Sequence, residues 1–309
     1  MKRTSIPKSW FVIVCPVAGR GKAVRWANAL KNWCGNEGIT LELVNTRFRG
    51  HASQLAREAA INGHRNFLAI GGDGTASEVI EGLVTQILIP PHEFTVTTLP
   101  AGTGNDWART LNIPKSRHRA IQILKRGHTT CHDVGKVEYH LDGQTRTRHF
   151  INMAGIGLDA FIVQQLGDHR PGPWAYYLEL FKAAAIFSAP TLSISTENKT
   201  IKMPALMFMA SLGRYGGGGM KLATDAVVDD GLFNMKFVSA MEGKKILAES
   251  RHLLRGTLGN SRYVQEFTAS NVHIESHDEA LLQADGELLG TTPASITILP
   301  KAIRVLMSP

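Results

Sequence analysis

Cysteine is scarce in this chain, blocks of like charge are missing, and no apolar run is long enough to span a bilayer. The three cysteines, Cys15, Cys34 and Cys131, are an odd number without framework spacing. That excludes a disulfide scaffold and is expected of reduced thiols in a cytoplasmic protein. The best transmembrane candidate, Trp174 to Ser195, contains Glu179, Lys182 and Pro190, which excludes a spanning helix. The first residues, Met1 to Pro7, carry no signal-type apolar segment. The net charge of +8 comes from 34 basic and 26 acidic side chains. The basic residues are scattered, so no nucleic-acid tail is expected, and the excess points to phosphorylated ligands or an anionic membrane surface met from the water side. The His128-Thr129-Thr130-Cys131-His132-Asp133 stretch matches no zinc spacing. The chain has no Gly-x-Ser-x-Gly elbow and no His-Glu-x-x-His.

The first part alternates strand and helix patterns. Strands are expected at Trp10 to Val14, Leu41 to Val44, Asn66 to Ile70 and Phe94 to Leu99. Helices are expected at Lys22 to Cys34, over the Ala52, Leu55, Ala56, Ala59, Ala60 stripe, from Ala76 to Val84, and from Ser116 to Arg126. Such units imply a doubly wound parallel sheet, with ligands beyond the carboxyl ends of its strands. From His132 onward the pattern is β-rich. A hairpin is expected from Val134 to Asn152, with strands at Ala205 to Leu212, Leu232 to Val238, Asn271 to Glu275 and Ser295 to Leu299. Helices are expected at Trp174 to Ser188 and Lys244 to Leu254. The boundary falls near Cys131 to Asp133, giving domains 1–132 and 133–299.

Gly71-Gly72-Asp73-Gly74-Thr75 is the most informative stretch. A strand that turns through glycines into a helix presents free N–H groups and a positive dipole end to an anion. Asp73 would repel a bare phosphate, so it calls for a cation such as Mg²⁺ or for proton chemistry. Thr75-Ala76-Ser77-Glu78 has the form of a capping box, which assigns Glu78 to the start of its own helix. Leu99-Pro100-Ala101-Gly102-Thr103-Gly104-Asn105-Asp106 repeats the construction, with Thr103 as the expected cap. Pro16 to Lys22 resembles a phosphate loop but lacks its first glycine and its Ser or Thr; Gly19, Arg20 and Lys22 still offer phosphate contacts. Asp285-Gly286-Glu287 lies between apolar residues, where burial would raise a carboxylate's pKa and suit it to base catalysis. Asp225, Asp229 and Asp230 follow a glycine run and could hold a hard cation, or form a solvated acidic turn.

These motifs, with Asn152 to Asp159 and Gly217-Gly218-Gly219-Met220, occur in the order of a known family. The chain resembles the diacylglycerol kinase catalytic domain, most of all the soluble bacterial lipid kinases. The resemblance implies an α/β ATP-binding domain, a C-terminal β-sandwich domain, an active-site cleft between them, and a last strand near 300–309 returning to the first domain. It implies transfer of the γ-phosphate of ATP to a lipid hydroxyl, with diacylglycerol-like lipids the expected substrate. By the same resemblance, Gly71, Gly72, Asp73, Gly74, Thr75, Gly102, Thr103, Asn105 and Asp106 frame the nucleotide and Mg²⁺. Asp285 and Glu287 complete the site, and Asp225, Asp229 and Asp230 resemble a structural Mg²⁺ region. Glu287 looks like the general base of the bacterial members; in related sphingosine kinases that role goes to the acid matching Asp73, so both stay open. Three departures stand out: Cys15 replaces the family's Asn, Ser77 a further Asn, and Asn234 an Asp. A peripheral, transiently membrane-associated protein is expected, with homodimerisation left open.

Overall fold

The computed structural model of the chain describes residues 8–167 and 173–308. The N-terminal residues on which the absence of a signal segment rests lie outside them. The chain forms two compact units. One comprises the chain up to Asp133 together with residues from Pro300 onward, and the other is Val134–Leu299.

The first unit contains β1 (Ser9–Val14), α1 (Lys22–Glu37), β2 (Thr40–Asn45), α2 (His51–Ile61), β3 (Asn66–Gly71), α3 (Asp73–Thr85), β4 (Thr95–Pro100), α4 (Asp106–Thr110), α5 (Arg117–Ile121) and α6 (Ile123–Arg126). β2, β1, β3 and β4 lie side by side in that order, all parallel. Arg304 and Val305 near the end of the chain extend the sheet parallel to β4. β1, β3 and β4 are buried almost throughout, as strands covered on both faces must be, whereas β2 is partly exposed along its length. The chain moves one way from β1 to β2 and the other way from β2 to β3 and β4. Right-handed crossovers then put α1 on one face and α2 with α3 on the other. The close α2–α3 packing agrees: a side chain at Gly82 would lie 2.2 Å from the Ser53 carbonyl oxygen.

Local chemistry explains these helices. α1 buries Ala23, Trp26, Ala27, Leu30 and Cys34 along one stripe. It stops at left-handed Gly38, whose N–H bonds the Cys34 carbonyl. The single helix expected from Ser116 to Arg126 is instead two short ones, broken at Gln122.

The second unit contains β5 (His128–Leu141, from Val134 on), β6 (Gln144–Phe150), β7 (Met153–Gly157), α7 (Leu158–Leu166), α8 (Pro173–Ile186), β8 (Thr191–Ser195), β9 (Thr200–Ser211), β10 (Tyr215–Gly216), β11 (Met220–Lys221), β12 (Phe233–Ser239), α9 (Gly243–Arg255), β13 (Val264–Ala269), β14 (Asn271–Ser276), β15 (Leu281–Ala284) and β16 (Glu287–Met307, up to Leu299). β9 pairs with β8 over its first half, and with β7 and β12 over its second. β16 pairs first with β15 and then with β14. These changes of partner fold the antiparallel sheet over a core that includes Val137, Phe150, Phe208, Phe237, Ile274 and Ile296. Alternation along the strands explains the layers. Phe208 and Ala210 of β9 face that core, while Met209 joins Leu158, Ile162, Leu253 and Val238 in a second cluster under the helices.

Candidate functional site

In the first unit, two glycine turns end adjacent parallel strands and touch. The N–H groups of Ala101 and Gly102 both bond the Gly71 carbonyl, at 2.8 and 3.0 Å. A Cβ on Gly102 would lie 2.5 Å from the Gly72 Cα, and one on Gly71 would lie 2.2 Å from the Thr75 Oγ1. Gly102 is therefore required by close approach of backbone to backbone and Gly71 by the Thr75 side chain packed against it, not by positive φ. The loop after β1 joins them, since a Cβ on Gly19 (φ 59°) would strike the Ala101 carbonyl. Arg20 beside it is exposed and left-handed. Gly74 differs: a Cβ there would meet nothing within 4 Å. A glycine inside a helix costs about 0.5–1 kcal/mol relative to alanine, so packing alone does not call for it.

Asp73 is the first residue of α3, and its Oδ1 accepts the Trp107 N–H at 3.1 Å. It thereby ties the first turn to the start of α4. Loss of water raises its pKa, while backbone N–H groups, Trp107 first, pull the other way. Asp106 is buried, with the Arg109 guanidinium 3.8 Å away. Asn105, left-handed at φ 55°, donates from Nδ2 to the Gly102 carbonyl at 2.7 Å, and its buried Oδ1 accepts no hydrogen bond.

Two capping expectations are corrected here. α3 begins at Asp73, two residues before Thr75, so Glu78 is not in its cap. Its carboxylate instead accepts the N–H groups of Gly50 (2.9 Å) and Ala52 (3.2 Å) and caps α2. α4 likewise begins at Asp106 with Asn105 as its cap residue, so Thr103 lies outside it. Behind α4 lies a buried pair that no sequence motif marks. Trp107 Nε1 donates to His132 Nε2 at 3.2 Å, which leaves His132 Nδ1 to carry the proton toward the Asp133 carbonyl. Asp133 accepts the Lys301 N–H at 2.6 Å.

In the second unit, Asp285 and Gly286 (φ 48° and 76°) form the two-residue turn between β15 and β16. The Asp285 carboxylate accepts three backbone N–H groups: Ile151 and Asn152 at 2.9 Å and Met153 at 3.1 Å. Glu287 follows, partly exposed, with its Oε2 2.9 Å from Arg148 of β6. The burial expected of this carboxylate from its apolar flanks is therefore not found at Glu287, which is partly exposed and paired with a guanidinium. Behind the turn, Gln283 accepts the Gly286 N–H at 2.8 Å and donates to Asp159 Oδ2 at 2.9 Å. Asp159 is buried, and loss of water pushes its pKa up to about 6 against the Gln283 hydrogen bond. Its carboxylate lies over Gly155, where a Cβ would come within 1.8 Å of it.

The diacylglycerol kinase catalytic domain matches residues 9–137. The YegS C-terminal NAD kinase beta sandwich-like domain matches residues 152–307. A Staphylococcus haemolyticus protein named diacylglycerol kinase is 31% identical over 272 residues, covering 84% of this chain and 76% of the relative. The chain belongs to the diacylglycerol kinase family. A Staphylococcus aureus diacylglycerol kinase is 31% identical over 285 residues, 86% of this chain and 84% of its own. The crystal structure of a diacylglycerol kinase from Bacillus anthracis shares the fold, with TM-score 0.76, 22% identity and coverage of 99% and 98%. Yeast NADH kinase shares it more loosely, with TM-score 0.52 and 10% identity over 99% of this chain and 85% of its own.

The family implies a metal, and the two acidic regions fit one differently. Asp73, Asp106 and the Asn105 amide oxygen are hard oxygen donors. Mg²⁺ is commonly held by one or two carboxylates together with substrate phosphates, so this set fits. Asp225, Asp229 and Asp230 do not gather: among the described residues no group of three His, Cys, Asp or Glu converges. Asp225 and Asp230 are exposed, and Asp230 accepts the Leu232 N–H at 3.0 Å in a local turn. The nearby cation is Lys236, buried against Glu266; burial lowers its pKa while Asp225 supports its charge. Among the described residues no helix is long and apolar enough to cross a membrane.

Proposed function

We propose that this protein is an ATP- and Mg²⁺-dependent lipid kinase that transfers the γ-phosphate to the hydroxyl of a diacylglycerol-like lipid. The observation that carries the reading is the pair of touching glycine turns at the ends of β3 and β4, tied together by Asp73. Their backbone N–H groups, the start of α3 and the open space at Gly74 suit a triphosphate. Asp73, Asp106 and Asn105 would hold Mg²⁺, which supplies charge neutralisation on the phosphates when bound.

Glu287 is the proposed general base. Its carboxylate takes the proton of the lipid hydroxyl as that oxygen forms its bond to the γ-phosphorus and the bond to the ADP oxygen breaks. Arg148 fixes its direction. Asp285 is better suited to holding the turn than to proton transfer, because three N–H groups already occupy its oxygens. The Trp107 N–H on Asp73 supports the same division, with Glu287 as base and Asp73 on the nucleotide side. The +8 charge supports transient docking on an anionic membrane from the cytoplasm.

The test is ³²P transfer from ATP to an extracted lipid mixture, with mass spectrometry of the labelled product. Label in a lipid that Glu287→Gln abolishes is the expected result. Tight ATP binding without labelled lipid would point to a non-catalytic regulator, and NADP formed from NAD and ATP would point to the chemistry of the NADH kinase that shares the fold.

A further inference from the structure

A cavity of about 370 Å³ in the first unit is lined by Lys22, Arg25, Trp26, Lys115 and Arg117. None of the glycines of the two turns lines it. Four of its five lining residues are cations, and no carboxylate lines it.

The arrangement is electrostatically uncompensated. The first turn of α1 contains no acidic residue and carries Lys22, with Arg25 next to that turn, at the end of a 16-residue helix where the dipole already repels cations. Lys115 and Arg117 bring two more positive charges from the segment after α4. None of the four forms an ion pair among the described residues. Trp26 is buried and forms the apolar wall, with the Lys22 ammonium 5.5 Å from its ring centroid. The buried Ile113, whose N–H bonds the Ala108 carbonyl at 2.8 Å, anchors the segment that carries Lys115. Clustered, unpaired cations around a concavity oppose folding and are relieved by an anion.

We propose that this cavity is a second anion site, separate from the glycine turns, that takes a doubly charged phosphate monoester group. Two arginines allow forked hydrogen bonding to phosphate oxygens, and two lysines add point charge. The indole wall suits a group with an apolar stem beside the phosphate. Such a group exists on a lipid headgroup and on a free phosphate ester.

The test compares the full-length protein with Arg25→Gln/Arg117→Gln, both exposed positions, checked for an unchanged thermal midpoint. One arm titrates glycerol phosphate calorimetrically, with and without a saturating non-hydrolysable ATP analogue. The other pellets protein with phosphatidylcholine vesicles containing phosphatidate, or phosphatidylglycerol matched for surface charge. The expected result is binding that persists with the analogue present and weakens about tenfold or more in the variant. Binding in the first arm identifies a free ester, and binding to phosphatidate vesicles alone identifies a headgroup. Equal binding by parent and variant in both arms overturns the proposal, as does equal pelleting with both anionic lipids. An equal loss of analogue binding in the variant also overturns it, since the cavity then belongs to the nucleotide site. Because every readout is binding, the outcome does not depend on whether the chain transfers phosphate.

Discussion

The Gly72 turn of the first unit and the Asp285–Gly286 turn of the second both place a carboxylate beside glycine, but their glycines do different work. At Gly72 and Gly102 the backbone is not left-handed; a Cβ on Gly102 would press on the Gly72 Cα of the other strand's turn, while one on Gly72 would make only ordinary contact at 3.4 Å. At Asp285–Gly286 the backbone is left-handed, and no partner turn is needed. The acids differ in the same sense. Asp73 takes N–H groups from the other glycine turn, that of Trp107 first, and so ties two turns together, whereas Asp285 takes three from the Ile151–Met153 segment and holds its own turn in place.

The most severe way to break the comparison is Glu287→Gln. It keeps the turn and removes the proposed base, so a loss of about 10²–10⁴ in kcat is expected at nearly unchanged thermal midpoint. A full-activity variant in the labelling assay would return the base to Asp73. Next is Gly102→Ala. Its methyl would have to displace the Gly72 backbone, so destabilisation of roughly 2–4 kcal/mol is expected in urea unfolding, with weakened ATP binding. Gly74→Ala is the matched control and should leave stability within about 0.5 kcal/mol, or raise it, while still weakening ATP binding.

Asp285→Ala leaves three N–H groups without their acceptor. A cost of about 2–3 kcal/mol is expected, with a loss of activity that follows the loss of folded protein. A fully folded but inactive variant would make Asp285 a participant in the chemistry.

Asp159 gives the effect that depends on pH. Its folded pKa, about 6, lies above its ordinary value of 3.8. The folded state therefore holds this proton more tightly than the unfolded chain. Its contribution is fully favourable below about pH 4 and is lost as pH rises through about 6, a swing on the order of 2–3 kcal/mol. Asp159→Asn keeps an acceptor for Gln283 and removes the charge. It should match the parent at acid pH and exceed it in urea midpoint at pH 8; a constant difference between the two proteins at all pH values would contradict this.

What the sequence made legible was what is local. Strand, glycine turn and helix follow one another within a few residues, so β3 to α4 and the hairpin at Asp142–Gly143 could be read directly. The longer-range partnerships could not. Glu78 fits a capping box by spacing, yet it serves α2, whose bonded N–H groups lie 26 and 28 residues earlier. Asp285 answers N–H groups 132 to 134 residues away, and nothing near Glu287 in the chain points to Arg148. β7 and α7 were hidden for another reason. Gly155 and Gly157 weaken the strand pattern, and they are glycines because the Asp159 carboxylate and the Leu206 carbonyl crowd them.

The parallel edge beside β4 is supplied by Arg304 and Val305, and Thr97 Oγ1 donates to the Leu306 carbonyl at 2.7 Å. On a ribosome, everything else in the first unit's sheet emerges some 200 residues before these do. Until then β4 presents an unpaired edge, the kind of surface that chains use to pair with the wrong neighbour. The second unit must be threaded out before the first can be finished, so a nascent chain stalled before residue 303 would hold the two glycine turns on an incomplete sheet.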